Sequence, residues 1–124
     1  MMRENQLVMY VVIPRSLKMS AGKVGATCGH AVQLMMQDYW RVKEAQGSDR
    51  VDCRRMLEWF ETSYPKIILG AHDDEFRVIR HLDGAIPVVD IGLKEVVAGS
   101  VTAVGFWPMQ KINAPTIIQE LRPL

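Results

Sequence analysis

A seven-residue apolar run near the start of the chain, residues 7–13 (LVMYVVI), limits the possible folds more than any other feature. The run is rich in β-branched residues, contains no polar residue and ends at Pro14. Such a run is typical of a strand that is covered on both faces, as in a sheet with helices on either side. It is too short to cross a bilayer and lacks the flanks of a signal peptide. We therefore expect a cytoplasmic protein without membrane association.

The rest of the chain predicts one domain, residues 1–124, with the element order β-α-α-β-α-β-β-α. Ser20 is expected to cap a long first helix that ends near Gly47, and Asp49 to cap a second. The further elements are strands at 66–69, 86–91 and 101–107, a helix that begins near Asp73, and a last helix from about 113 to 123. Helices join the first two strands, and a short loop joins the last two. We therefore expect an α/β fold with a mixed four-stranded sheet and helices on both faces.

The charged residues are nearly balanced, with 15 Lys and Arg against 14 Asp and Glu. A protein that coats nucleic acid usually has a clear basic excess. That class is disfavoured, whereas an enzyme that contacts RNA briefly through one local basic patch is not. Cys28 and Cys53 lie in apolar helical stripes, which suits buried thiols better than a disulfide. The histidines are scattered and no metal-binding motif is present, so we expect no metal site.

The first cluster with chemical potential spans residues 18–31. Lys18 lies in the loop after the first strand, and Lys23, Thr27 and His30 follow at i, i+4 and i+7 on one helix face. Ligands of open α/β sheets commonly bind at this edge, and helix N-termini favour anions. The cluster therefore suits a pocket for a phosphate or an ester. The alternative is a solvated helix face, because the same polar stripe continues to residue 41.

A second stripe of small residues, Ala21, Gly25 and Gly29, lies on the same helix. Glycine destabilises a helix by about 1 kcal/mol relative to alanine. We therefore expect this stripe to allow a close approach of another part of the molecule.

The second chemical cluster spans residues 89–102. Asp90 is expected at the carboxyl end of an apolar strand, where a carboxylate can orient a lysine or a water molecule. The alternative is an aspartate that hydrogen-bonds to the backbone of a turn next to Gly92. Both interpretations fit the sequence.

Together the two clusters resemble the type 2 peptidyl-tRNA hydrolases. That family carries L-K-M-x-x-G-K-x-A-A-Q-x-x-H-A on its first helix and D-A-G-R-T-Q-I-A-P-G-S-x-T before its last strand. The matching residues are Leu17, Lys18, Met19, Gly22, Lys23, Ala26, His30 and Ala31 in the first motif, and Asp90, Gly92, Gly99, Ser100 and Thr102 in the second. The chain differs at Thr27, where the family has glutamine, and at Leu93, Lys94 and Glu95, where the family has arginine, threonine and glutamine.

The resemblance implies hydrolysis of the ester that joins a peptide, or an N-blocked aminoacyl group, to tRNA. It implies no metal or organic cofactor, peptidyl-tRNA as the partner, and a homodimer as a candidate assembly. Our hypothesis for this chain is that Lys18, Lys23, His30 and Asp90 are catalytic, and that Gly22, Thr27, Lys94, Ser100 and Thr102 bind the substrate. Backbone N–H groups of residues 20–22 are expected to stabilise the oxyanion.

Two other functions remain open because the loop of the second motif is altered. One is a non-catalytic relative that binds tRNA or a protein partner. The other is a hydrolase that acts on a different acyl ester.

Overall fold

The computed structural model describes residues 5–91 and 95–124. In chain order its elements are β1 (Leu7–Pro14), α1 (Ala21–Gln46), α2 (Val51–Glu61), β2 (Lys66–Ala71), α3 (Asp73–Ile79), β3 (Ile86–Val89), β4 (Val101–Gly105), β5 (Met109–Gln110), α4 (Thr116–Gln119) and β6 (Arg122–Pro123). Short 3₁₀ helices at Arg15–Leu17 and Lys111–Asn113 precede α1 and α4. Within these ranges, no helix combines the length and the apolar character needed to cross a membrane.

The strands form one mixed sheet in the order β3-β4-β1-β2-β6, and β5 adds to β1. β1 and β2 are parallel, whereas β4 runs antiparallel to both β1 and β3. The predicted α/β fold, its parallel first pair and its antiparallel last pair are confirmed. The sheet has six strands rather than four because β5 and β6 contain two residues each, too few to produce a periodic sequence pattern.

β1 occupies the centre of the sheet and contributes to two separate cores. Val8, Tyr10 and Val12 pack on the side of α3 and α4, while the alternating residues of β1 pack on the side of α1 and α2. Burying one such side chain contributes about 1.5–3 kcal/mol. The uninterrupted apolar run therefore reflects a strand that is covered on both faces.

α1 is fixed at its start by the predicted cap and along its length by a buried stripe. The Ser20 Oγ accepts a hydrogen bond from the Lys23 N–H at 3.2 Å. The buried residues of the helix are Thr27, Ala31, Met35 and Tyr39. Ala31 packs beside Gly105 of β4, where an added Cβ would lie 3.4 Å from the Ala31 Cβ, a van der Waals contact. α1 therefore lies against β3 and β4.

The second helix and the chain end differ from the prediction. α2 is capped by Arg50 rather than Asp49, without a side-chain cap; Asp52 instead accepts a hydrogen bond from the Cys53 N–H at 2.8 Å. The last helix is only four residues long. It ends early because the following residues pair with β2 as β6, where the Arg15 guanidinium donates to the Pro123 carbonyl at 2.9 Å. β3 and β4 each end two residues earlier than predicted.

The small-residue stripe of α1 does not pack against the rest of the domain. A Cβ added at Gly25 or Gly29 would meet no atom within 4 Å among the residues that the structure describes. The predicted close approach along this stripe is therefore wrong for the described fold, and both glycines face open space.

A buried hydrogen bond joins α1 to the sheet. The hydroxyl groups of Thr27 and Thr102 bond to each other, and the two residues are 1% and 0% exposed. Because Thr102 belongs to β4, this bond fixes the rotation of α1 over the strands that carry the candidate site.

Replacing either threonine by valine should destabilise the fold, because the remaining hydroxyl would be buried without a partner. We expect Thr27→Val and Thr102→Val each to lower the free energy of unfolding by about 1–3 kcal/mol. The double variant should lie closer to the wild type than the sum of the two losses, as measured by urea denaturation. Strictly additive losses would contradict the pairing.

Candidate functional site

The candidate site lies where the first turn of α1 meets the segment between β3 and β4. Asp90 follows β3 directly; its N–H donates to the Ser100 carbonyl, and its carbonyl accepts from the Gly99 N–H, each at 2.8 Å. These bonds bring the two ends of the segment together beside the helix. The fold therefore places Asp90 next to Lys23, although the two residues are 67 positions apart.

Lys23 and Asp90 form an ion pair. The Lys23 Nζ donates a hydrogen bond to Asp90 Oδ2, and the two side chains are 17% and 6% exposed. Removing a charged group from water is costly unless an opposite charge compensates, so each group depends on the other. The arrangement brings a carboxylate to a lysine, which is the contact that the first interpretation of Asp90 requires.

The ion pair lines a cleft of about 430 Å³. The walls combine apolar and polar side chains from α1 and from the end of β3: Lys23, His30, Gln33, Leu34, Val88, Val89, Asp90 and Ile91. Val89 and Ile91 are 59% and 74% exposed. The cleft therefore combines the charged groups of Lys23 and Asp90 with an adjacent apolar surface. This combination suits a substrate in which a polar group, such as an ester, is attached to an uncharged apolar group.

His30 lies at the exposed part of this cleft, two turns along α1 from Lys23. Because its side chain is exposed, His30 is not part of the core. The polar stripe that begins with Lys23 leaves the cleft beyond Gln33, since Gln37 and Arg41 are exposed and do not line it. The stripe therefore lines the cleft as far as Gln33 and is a solvated helix face beyond it.

Glu95 contributes a contact that the sequence analysis missed. Its Oε1 accepts a hydrogen bond from the Ser20 N–H at 2.8 Å, and its Oε2 accepts one from the Ser20 hydroxyl at 2.6 Å. These hydrogen bonds, and to a lesser extent the nearby Lys23 ammonium, hold the pKa of Glu95 below its ordinary value. The sequence gives one weak signal for this contact, the general preference of carboxylates for helix N-termini.

The Glu95 contact changes one expectation about the oxyanion. The N–H of Ser20 is already bonded to Glu95, and the N–H of Lys23 is bonded to the Ser20 hydroxyl. Of the predicted backbone donors, Ser20 is therefore unavailable to a substrate in this conformation, and Ala21 and Gly22 remain as candidates.

The other predicted residues occupy different environments. Lys18 is exposed, adopts a left-handed backbone conformation with φ of 48° and does not line the cleft. Gly22 is exposed and Ser100 is half-buried. Thr27 and Thr102 are buried against each other, which favours positioning of α1 over direct substrate contact. Lys94, predicted to bind substrate, and Gly92 of the second motif lie outside the described residues.

A second cleft, of about 460 Å³, lies on the other side of the sheet. Its lining is mainly apolar and comes from β1, β2 and the chain end: Tyr10, Ile67, Leu69, Lys111, Ile112, Ile118, Gln119, Leu121 and Pro123. It contains none of the predicted catalytic residues and no acidic group. The cleft that contains Lys23 and Asp90 is therefore the better candidate for ester chemistry, although its volume is slightly smaller.

Thiol and metal chemistry have little support in the described residues. Cys28 and Cys53 are free thiols, and burial raises the pKa of both, which disfavours the reactive thiolate. No group of three or more His, Cys, Asp or Glu side chains within residues 5–91 and 95–124 is arranged to hold a metal ion.

Comparison with known proteins identifies the family. No curated protein matches the chain with significant similarity. A family model described as peptidyl-tRNA hydrolase PTH2 matches residues 7–124, nearly the whole chain. The match includes both clusters and every element from β1 to β6. The chain belongs to the peptidyl-tRNA hydrolase PTH2 family.

Proposed function

We propose that this protein hydrolyses the ester between a peptide, or an N-blocked aminoacyl group, and the ribose at the 3′ end of tRNA. The observation that carries the proposal is the largely buried Lys23–Asp90 ion pair in an open cleft. Membership of the PTH2 family supports this activity at the level of the family. A cytoplasmic location and a homodimer remain predictions that follow from the same membership.

The cleft suits the acyl side of such a substrate. Val89 and Ile91 offer an exposed apolar surface to an uncharged acyl group, and Lys23 lies beside it. An ammonium group has three N–H donors, of which one bonds to Asp90. Another donor of Lys23 is then directed to the ester carbonyl, where it stabilises the negative charge that develops on oxygen.

The reaction requires water to attack the carbonyl carbon. In the proposed mechanism Asp90 orients Lys23 and the attacking water, and the backbone N–H groups of Ala21 and Gly22 assist at the oxyanion. Loss of one such donor typically lowers the rate on the order of a hundredfold. The bond from the carbonyl carbon to the ribose oxygen then breaks. His30 accepts one proton from the water and passes it to that oxygen, and the second proton of the water is released to solvent, so that the products are a peptide carboxylate and a free ribose hydroxyl.

The ion pair favours an enzyme over the non-catalytic alternative. A binding module has no need for a lysine and an aspartate held together away from water, because such a pair contributes little net stability compared with apolar residues. Hydrolysis of another acyl ester would use the same residues. Activity on a small ester without activity on peptidyl-tRNA would favour that alternative.

Replacing Lys23 by alanine should reduce the release of labelled N-acetyl-aminoacyl groups from charged tRNA by at least about a hundredfold. The variant should also unfold more easily, because Asp90 would keep a largely buried charge without this partner. In the double variant Lys23→Ala/Asp90→Asn, the stability should recover towards the wild type while the activity stays lost. Both quantities are measured by single-turnover hydrolysis and urea denaturation.

The double variant separates chemistry from folding. Recovery of activity together with stability would show that the pair is structural and would contradict the proposed mechanism. Absence of turnover in the folded wild-type protein would instead support the non-catalytic relative.

Replacing His30 by alanine should lower the rate of hydrolysis on the order of a hundredfold, because general acid–base groups contribute at least this much. The stability should change little, since the side chain is exposed. His81→Ala is the matched control: His81 is also exposed but follows α3, on the other side of the sheet. Equal rates for the two variants would support the solvated-face interpretation of His30.

A further inference from the structure

The carboxylate of Glu95 places a negative charge at the N-terminus of α1. Both oxygens of its carboxylate bond to Ser20, the N-cap of the helix. A glutamate carboxyl is ionised at neutral pH already at its ordinary pKa, and the hydrogen bonds from Ser20 lower the pKa of Glu95 further. A helix N-terminus carries a partial positive charge of about half a unit, so the full negative charge of the carboxylate outweighs it.

Four charged residues of the two motifs flank this helix end, and the charges of these four cancel. Lys18 and Lys23 supply two positive charges, and Asp90 and Glu95 supply two negative ones. A surface that binds RNA phosphates normally has a local surplus of positive charge, since each neutralised phosphate releases counterions. These four residues have no such surplus, and neutralising Glu95 would leave them with one net positive charge.

We propose that Glu95 is a specificity-determining residue that keeps RNA phosphates away from the N-terminus of α1. The part of the substrate bound there is then the uncharged ester with its acyl group. This inference rests on the proposed function and deepens it: the enzyme would hold acylated tRNA through the acyl group and would retain free tRNA only weakly.

The charge of Glu95 can be removed without removing its hydrogen bonds. In Glu95→Gln, the amide oxygen accepts from the Ser20 N–H, and the amide nitrogen donates to the Ser20 hydroxyl, which can act as an acceptor. The loop should therefore keep its position. Glu95→Ala removes both the charge and the hydrogen bonds, so a comparison of the two variants separates an electrostatic role from a structural one.

The experiment measures the Kd of fluorescently labelled, deacylated tRNA by anisotropy, over a series of salt concentrations. Glu95→Gln should bind this tRNA about threefold to tenfold more tightly than the wild type at low salt. The slope of log Kd against log salt should become steeper by roughly 0.7–0.9, the value of one additional phosphate contact.

The matched control is Glu120→Gln, which makes the same change in net charge at an exposed position just after α4, on the other side of the sheet. An equal gain in tRNA affinity for both variants would overturn the proposal, because the effect would then come from net charge alone. An unchanged Kd in Glu95→Gln would also overturn it. So would a loss of activity that is the same in Glu95→Gln and Glu95→Ala.

The inference and the proposed function can fail separately. If the wild type does not hydrolyse peptidyl-tRNA but Glu95→Gln gains affinity for free tRNA, the hydrolase assignment is wrong and the role of Glu95 against RNA phosphates stands. If the wild type is active and the affinity for free tRNA does not change, the role of Glu95 is wrong and the hydrolase stands.

Discussion

The contact of α1 with β3 and β4 decides where every group of the candidate site lies. Thr27 and Thr102 bond within this contact, shielded from water, and Ala31 packs beside Gly105 of β4. One turn before Thr27, Lys23 meets Asp90. A rotation of α1 about its axis would separate the ion pair and bury or expose the wrong side chains. The rigidity of the site therefore originates in the core beneath it.

Much of the fold follows from patterns that act over short distances. The apolar run of β1, the Ser20 cap and the buried stripe of α1 each depend on neighbouring residues, and the structure contains all three. The short strands β5 and β6 depend on which unpaired stretch of a longer strand the chain reaches: β5 pairs with the start of β1, and β6 pairs with β2. Two residues cannot encode that choice, which is why the sequence predicted a longer final helix instead.

The candidate site was predictable to the extent that topology determines it. The end of β3 and the start of α1 lie near each other in such a fold, so the proximity of Lys23 and Asp90 followed from the element order. The bond between Glu95 and Ser20 did not, because the residues are 75 positions apart and a loop has no periodicity that fixes its side-chain directions. Nor could the sequence show that Thr27 and Thr102 point into the core rather than towards a substrate.

The three glycines at the start of α1 make the two halves of this helix differ in stability. Gly22, Gly25 and Gly29 all lie in its first nine residues, and each weakens a helix by roughly 1 kcal/mol relative to alanine. Beyond them, Met35 and Tyr39 anchor the helix in the core. Amide hydrogens in the first part of α1 should therefore exchange with solvent faster than those in the second. The end of the helix that carries Lys23 is thus its less stable end, held in place mainly by Ser20, Thr27 and the ion pair.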